Sequence, residues 1–459
     1  MAEPLWTSEE IAAATGGVAS GTFSASGVSI DTRSLEPGDL FVALAGARDG
    51  HEFVAQAQAM GAAGALVARP VAGPHVTAGD VFTALEDLGR AARSRPSDLK
   101  CAAVTGSVGK TSVTQAISAC LDLAGHGHAS VKSYNNHIGV PLTLARLPRN
   151  TQRAVFEVGM NHAGEIGPLS RMVRPDVAVI TTVGPVHIEN FEDGEAGVAR
   201  AKAEVFEGMT PGGLAVLNRD NRWFDMLAAA ADRHRLRIAG FGRDEGSDAR
   251  LISLEPVGPG QIVTAEIQGR RLRFPIAQSG AHWGPKALSV LLTCAELGVD
   301  EAVTLQALAG FGPLTGRGAE RRIPLSGGAF ALVDESYNAN PVSMEAVISA
   351  LGARTVAGRR ILALTDMLEL GVDGPSMHAA LAGPIAEARV DLVFCAGPLM
   401  ASLWSALPGD VQGGYATNST ELAVQVKESV RAGDVVVVKG SNGSRASVIV
   451  DALSGQGER

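Results

Sequence analysis

At 459 residues the chain is too long for one hydrophobic core, and about two to four domains are expected. Hydrophobic residues at 46% and charged residues at 19% are the balance of a globular protein, not of a disordered one. A formal net charge of −9 argues against an electrostatic grip on nucleic acid. Cys101, Cys120, Cys294 and Cys395 are scattered without a CxxC pair. That spacing predicts reduced core thiols in a cytoplasm and neither a zinc site nor a disulfide frame. The segment Met1–Glu10 has no long apolar core, so no signal peptide is expected. No uninterrupted apolar run is long enough to span a bilayer, and no membrane insertion is expected.

Met1 to about Leu99 is expected to form a small α/β unit. Ser8-Glu9-Glu10-Ile11 is a helix start with Ser8 as the cap. Val28 to Ser34 is a strand ending in polar groups, and Leu40 to Leu44 is a second strand after the Pro37-Gly38 turn. Asp49-Gly50-His51 turns the chain into a helix that stops near Gly61, and Ala65 to Val67 is a further strand. Taken alone, Asp31-Thr32-Arg33 is a solvated turn with a surface ion pair.

Lys100 to Leu121 carries the strongest signal in the chain. Cys101 to Val104 is a short apolar strand, Thr105-Gly106-Ser107-Val108-Gly109-Lys110-Thr111 is a tight glycine turn, and Ser112 opens a helix with Val113, Ala116, Ile117 and Leu121 apolar. Strand, glycine loop and helix in that order make a phosphate cradle. Backbone N–H groups and the helix N-terminus supply partial positive charge, Lys110 a full one, and the Thr111 hydroxyl can reach magnesium. The strict pattern wants a glycine where Val104 stands, so this is the compact T-G-x-x-G-K-T form. Nucleoside triphosphate binding is predicted.

Ser133 to Pro141 packs Asn135 and Asn136 beside Gly139, a setting in which amides commonly just satisfy loop backbone. Ala154 to Met160 is a strand with one carboxylate, Glu157, inside an apolar run, costly unless it faces a metal or a donor. Val177 to Thr182 opens into Gly184-Pro185-Val186-His187, and His187 beside Glu157 becomes a metal-ligand candidate. Glu195 to Met209 is read as one helix carrying Lys202, which by itself would be a solvated lysine. Asn218 to Asn221 suits nucleoside contact, Leu236 to Phe274 is rich in short alternating runs, and a helix is expected from about Lys286 after Gly280-Ala281-His282. The run Gly312 to Gly318 is a break and a plausible hinge. Beyond it strand, loop and helix return, with strands at Phe330–Val333, Arg360–Leu364, Asp391–Cys395 and Val435–Val438. Ligands in open parallel sheets collect beyond such carboxyl ends.

These segments together resemble the Mur ligase family over nearly the whole chain. The resemblance rests on Asn135-Asn136 with Gly139-Val140-Pro141, Glu157 to Asn161 with Gly164-Glu165-Ile166, and the highly specific Ser336-Tyr337-Asn338-Ala339-Asn340-Pro341. Asp366 to Gly371 with His378, and Lys439-Gly440-Ser441, complete it. It implies an α/β fold in three domains: residues 1–99 for a uridine-nucleotide substrate, a central P-loop ATPase over 100–315, and a C-terminal Rossmann-like domain over 316–459. Within the family it points to the member that joins D-alanyl-D-alanine to UDP-N-acetylmuramoyl-tripeptide through an acyl phosphate, in the cytoplasm and as a monomer.

By that resemblance Thr32, Arg33, Asp49, Gly50 and His51 grip the uridine nucleotide. Thr111, Glu157 and His187 hold magnesium, Lys202 is carbamylated, and Lys110, Lys202, His187 and Glu157 form the catalytic set. ATP is met by Thr105 to Ser112, His282, Arg317 and Glu335, and substrate also by Asn135, Asn136, Tyr337, Asn338, Asn340 and Lys439. This chain departs from the family pattern at Glu335 (commonly aspartate), Lys286 (asparagine), Ser133 and Thr182 (asparagines) and Thr365 (glycine). The competing readings are a sister ligase adding a single amino acid, a folate-polyglutamate type enzyme, and a non-catalytic ATP-binding module that signals by closure.

Overall fold

A computed structural model describes residues 3–131 and 133–455; the chain ends Met1–Ala2 and 456–459, included in the expectations above, lie outside it. Three sheets of 5, 9 and 6 strands follow one another along the chain. The first carries Gly27–Ser29, Asp39–Val42, Gly64–Val67 and His75–Thr77 in parallel, with Val18–Ala19 antiparallel at one edge. The helix Ser8–Thr15 beside it is capped by Thr7, not Ser8. Thr7 Oγ1 accepts from the Glu10 N–H while the Glu10 carboxylate accepts from the Thr7 N–H. A reciprocal capping box needs the glutamate three residues on, and counting back from Glu10 selects Thr7.

The nine-stranded sheet is parallel through Gly127–Ala129, Arg153–Glu157, Lys100–Thr105, Val177–Ile180, Leu214–Asn218, Arg237–Gly242 and Ala249–Val257. It then continues as an antiparallel meander of Gly260–Ile267 and Arg270–Ile276. That meander is the stretch the sequence described least well. A register shift between Leu251 and Ser253 breaks the two-residue alternation that marks a strand. Helix Lys110–Ala124 packs Val113, Ala116, Ile117 and Leu121 on one face together with helix Trp283–Glu296. The latter starts three residues before Lys286, so Lys286 sits inside it. The expected helix over 195–209 is α-helical only to Ala203 and tightens to a 3-10 turn over Glu204–Gly208.

The opposite face of the central sheet shares one core with the N-terminal unit. Trp6, 1% exposed, donates from Nε1 to the Ala145 carbonyl, and Arg146 and Arg93 donate to the carbonyls of Val28 and Val173 across the same seam. The six-stranded sheet has Gly328–Glu335, Val435–Lys439, Arg360–Thr365, Leu392–Ala396 and Gln412–Ala416 parallel, with Ala319–Leu325 antiparallel at the edge. Among the described residues no helix is long and apolar enough to cross a membrane.

Strand register sets the site. Val104 pairs with Glu157, and Thr105 with Ile180, so three adjacent strands release the glycine loop, Glu157 and the Thr181–His187 segment at one edge. In the C-terminal sheet Glu335 pairs with Lys439 at the corresponding carboxyl edge. The two edges face each other.

Candidate active site

A cavity of about 510 Å3 lies between these edges, walled by Ser107–Ser112, Glu157, His187 and Lys286 from one side and by Arg317, Glu335, Tyr337, Asn338, Asn340 and Lys439 from the other. Gly106 and Gly109 have φ of 145° and 89°, angles open to glycine and strained for other residues. Gly109 caps helix Lys110–Ala124 with no side chain, which leaves the first N–H groups of that helix facing the cavity. Lys110 Nζ donates to the Gly106 carbonyl at 2.7 Å, closing the loop on itself. Burial depresses the Lys110 ammonium, Glu157 opposes that shift, and Arg317 adds to it.

Thr111 Oγ1 lies 3.0 Å from Ser133 Oγ and accepts from Arg317 Nη2 at 3.0 Å. Arg317, stacked 4.1 Å over the Tyr337 ring, therefore brings the C-terminal domain onto the phosphate loop. Glu157 is 1% exposed: Oε1 accepts from Asn135 Nδ2 at 2.7 Å, while Oε2 is buried without a partner. A buried carboxylate oxygen left unpaired is costly unless a cation completes it.

His187 adopts a left-handed backbone (φ 59°), and its Nδ1 lies 2.6 Å from Glu369 Oε2 at an angle that makes no hydrogen bond. Burial, with Lys110 and Lys202 adding to it, pushes its imidazolium down to about 4, so at neutral pH the ring is uncharged. Lys202 does not wall the cavity. It is 3% exposed, and among the described residues its ammonium has no ion-pair partner. Burial, reinforced by Lys110, drives it well below the usual lysine range. These couplings gather Lys110, His187 and Lys202 in one neighbourhood.

Thr111, Glu157 and His187 fit a magnesium ion held jointly with phosphate oxygens. They are one hydroxyl, one carboxylate with a free buried oxygen and one neutral imidazole, and magnesium is usually bound by a few protein ligands plus substrate phosphates. Among the described residues no cluster of three His, Cys, Asp or Glu side chains forms a cage without phosphate.

Of the other expected residues, Lys439 Nζ donates to the Asn338 carbonyl at 2.8 Å and lies 3.8 Å from Glu335. Asn340 caps helix Pro341–Gly352. His282 walls the cavity, and burial, Lys286 and Lys439 keep it uncharged. Thr105 is buried at the strand end. Asn136 does not reach the cavity; its Oδ1 accepts from the Ile138 and Gly139 N–H groups, the loop role such amides commonly take. Thr32 and Arg33 lie in the 3-10 turn Thr32–Ser34, and Gly50 and His51 in the 3-10 turn Gly50–Phe53 that Asp49 caps; both turns belong to the N-terminal unit and do not wall this cavity. There Asp49 holds His51 Nδ1 at 2.7 Å, His51 Nε2 accepts from the Ala68 N–H, and Arg33 pairs with Asp31. Trp283, Phe241 and Glu369 went unpredicted as site residues. The only signal for Trp283 was its place beside His282, and Phe241 carried none.

Family models described as "Mur ligase family, catalytic domain", "Mur ligase middle domain" and "Mur ligase, glutamate ligase domain" match residues 24–98, 104–294 and 321–442. The UDP-N-acetylmuramoyl-tripeptide–D-alanyl-D-alanine ligase of Bacillus subtilis (strain 168) is 33% identical over 93% of both chains. The ligase of the same name from Escherichia coli (strain K12) is 32% identical over 94% of both. Among solved structures, MurF from Acinetobacter baumannii superposes with a TM-score of 0.85 at 26% identity, covering 99% of each chain. With three consecutive domain matches and relatives alike along almost their whole length, the chain belongs to the Mur ligase family.

Proposed function

We propose that this chain is the ATP-dependent ligase that joins D-alanyl-D-alanine to UDP-N-acetylmuramoyl-tripeptide in peptidoglycan precursor synthesis. The observation that carries the reading is one cavity walled by the phosphate loop on one sheet and by the Ser336–Asn340 segment on another, in a chain whose relatives bear that name. Residues 1–99 take the uridine nucleotide through Thr32, Arg33 and the Asp49–His51 turn, residues 100–315 take ATP, and residues 316–459 close over it. A monomer at work in the cytoplasm belongs to the same reading.

A carboxylate is a poor partner for an amine because oxide would have to leave. Transfer of the γ-phosphoryl group to the tripeptide carboxylate makes an acyl phosphate; the D-alanyl-D-alanine amine then attacks its carbonyl carbon and phosphate departs. Two anions must meet in the first step, so Lys110, Arg317 and the helix N-terminus cancel charge around the phosphates. Thr111, Glu157 and His187 would hold magnesium, which when bound would further neutralise the phosphate oxygens. Arg317 on the Thr111 hydroxyl closes the C-terminal domain over the loop, excluding the water that would hydrolyse the acyl phosphate.

Lys202 supports a carbamate. Its burial beside Lys110 favours the neutral amine, which adds to carbon dioxide, forms the N–C bond and releases one proton. The product is an anion that suits the Lys110 ammonium near it.

Phosphate release from ATP tests the reading, using purified UDP-tripeptide with and without D-alanyl-D-alanine. Release that needs the dipeptide supports it. Equal release with a single amino acid favours a sister ligase, and no release with any amine makes the chain a binding module. Mass spectrometry of products from the diaminopimelate- and lysine-containing tripeptides then assigns the third residue.

A further inference from the structure

Among the described residues four cationic side chains wall the cavity: Lys110, Lys286, Arg317 and Lys439. Three are already engaged, Lys110 with the Gly106 carbonyl, Arg317 with Thr111 and Lys439 with the Asn338 carbonyl. Among the described residues, Lys286 Nζ has no hydrogen-bond or ion-pair partner. Its position is nevertheless tightly set. A Cβ placed on Gly109 would lie 2.9 Å from Lys286 Cε and 3.6 Å from Nζ, so the side chain runs along the turn of the phosphate loop. On its other side the ammonium sits 4.9 Å over the Trp283 ring, a cation–π contact that holds it in place. This half-buried ammonium faces the cavity without an acceptor of its own, and an anion on the loop would supply one.

Resting on the triphosphate reading, we infer that Lys286 is a second phosphate-binding lysine, contributed by helix Trp283–Glu296 and aimed at the α- and β-phosphates. The backbone of such a loop cradles the α- and β-phosphates while its own lysine reaches the β- and γ-phosphates. Lys286 lies against the loop backbone at Gly109, hence the assignment to the part of the nucleotide that ATP and ADP share. It binds substrate and product alike and leaves the transferred group to Lys110. Such uniform binding moves KM and not kcat.

The test uses the full chain with Lys286→Gln, which removes the charge at similar length, and Lys286→Arg, which keeps it. Calorimetry measures Mg·ADP affinity, and competition against ADP measures inorganic tripolyphosphate and adenosine separately. Lys286→Gln is expected to weaken ADP and tripolyphosphate by about 10- to 100-fold, the range for a hydrogen bond to a charged group. Adenosine should bind as before, Lys286→Arg should retain affinity, and the KM for ATP should rise with kcat nearly unchanged. Equal weakening of adenosine and ADP would make Lys286 a base-reading residue and overturn the inference. So would wild-type ADP affinity in Lys286→Gln. A wild-type chain that binds no Mg·ADP would instead bring down the triphosphate reading itself.

Discussion

Gly106→Ala puts the phosphate loop to a quantitative test. At φ 145° an alanine is strained, and positions of that kind cost about 1–3 kcal/mol. The added Cβ would also overlap Thr181 Oγ1 and lie 3.1 Å from both Cβ and N of Thr181. That hydroxyl donates to the carbonyl of Val108 at 2.6 Å and lies 3.3 Å from that of Thr105. Displacing it forfeits about 1 kcal/mol for each bond. The sum is about 2–5 kcal/mol, which the protein can lose in two ways. Holding the loop in place lowers stability, whereas letting it relax lowers nucleotide affinity by a factor of about 30 to several thousand.

Calorimetry with Mg·ADP and thermal unfolding of the ligand-free chain should therefore be run on the same samples. Thr181→Ala separates the two sources of cost. Alone it should lose about 1–2 kcal/mol, and combined with Gly106→Ala it should return part of the single variant's loss, because the worst overlap is gone while the dihedral strain stays. Gly106→Ala with wild-type affinity and unchanged melting would refute the loop geometry. No recovery in the double variant would refute the clash with Thr181.

Other perturbations separate the remaining parts. Lys202→Ala should abolish ligation and regain some of it with added short-chain carboxylic acids; full activity without rescue would remove the carbamate from the mechanism. Trp6→Ala should lower the first urea transition by about 3–5 kcal/mol, because it empties the seam at Ala145 and Arg95, yet leave ADP affinity unchanged. Burial pushes the Cys101 and Cys395 thiols up to about 12, and all four cysteines are buried. A thiol reagent at pH 8 should therefore label the native chain far more slowly than the urea-unfolded one. The sign for stability follows: the unfolded thiols ionise from about pH 8.5 while the folded ones hold their protons. Their contribution is complete below that pH and is lost as pH rises toward 12.

How far the site could be read in advance depends on where each residue's partners lie. The phosphate loop was legible because its chemistry is local: strand, glycines, Lys110 and Thr111 are consecutive, and the observed strand Lys100–Thr105 and helix Lys110–Ala124 follow that reading. Glu157 was legible for a different reason. A carboxylate inside an apolar strand is costly wherever it sits, and its unpaired Oε2 is that cost in three dimensions. Lys202 gave no such warning, since a lysine on a helix is ordinarily solvated; only the packed fold buries it behind His187. Lys286 was visible as an unusual residue but not as an ammonium on the loop, because Gly109 and helix Trp283–Glu296 meet across more than a hundred residues of chain. Glu335 with Lys439, and His187 with Glu369, are likewise distant in sequence and become neighbours when parallel strands pair or two sheets face each other. A ligase that must exclude water puts part of its site on a domain that closes. The residues that complete the site are then the ones local pattern shows least, and the ones whose substitution should separate closure from binding.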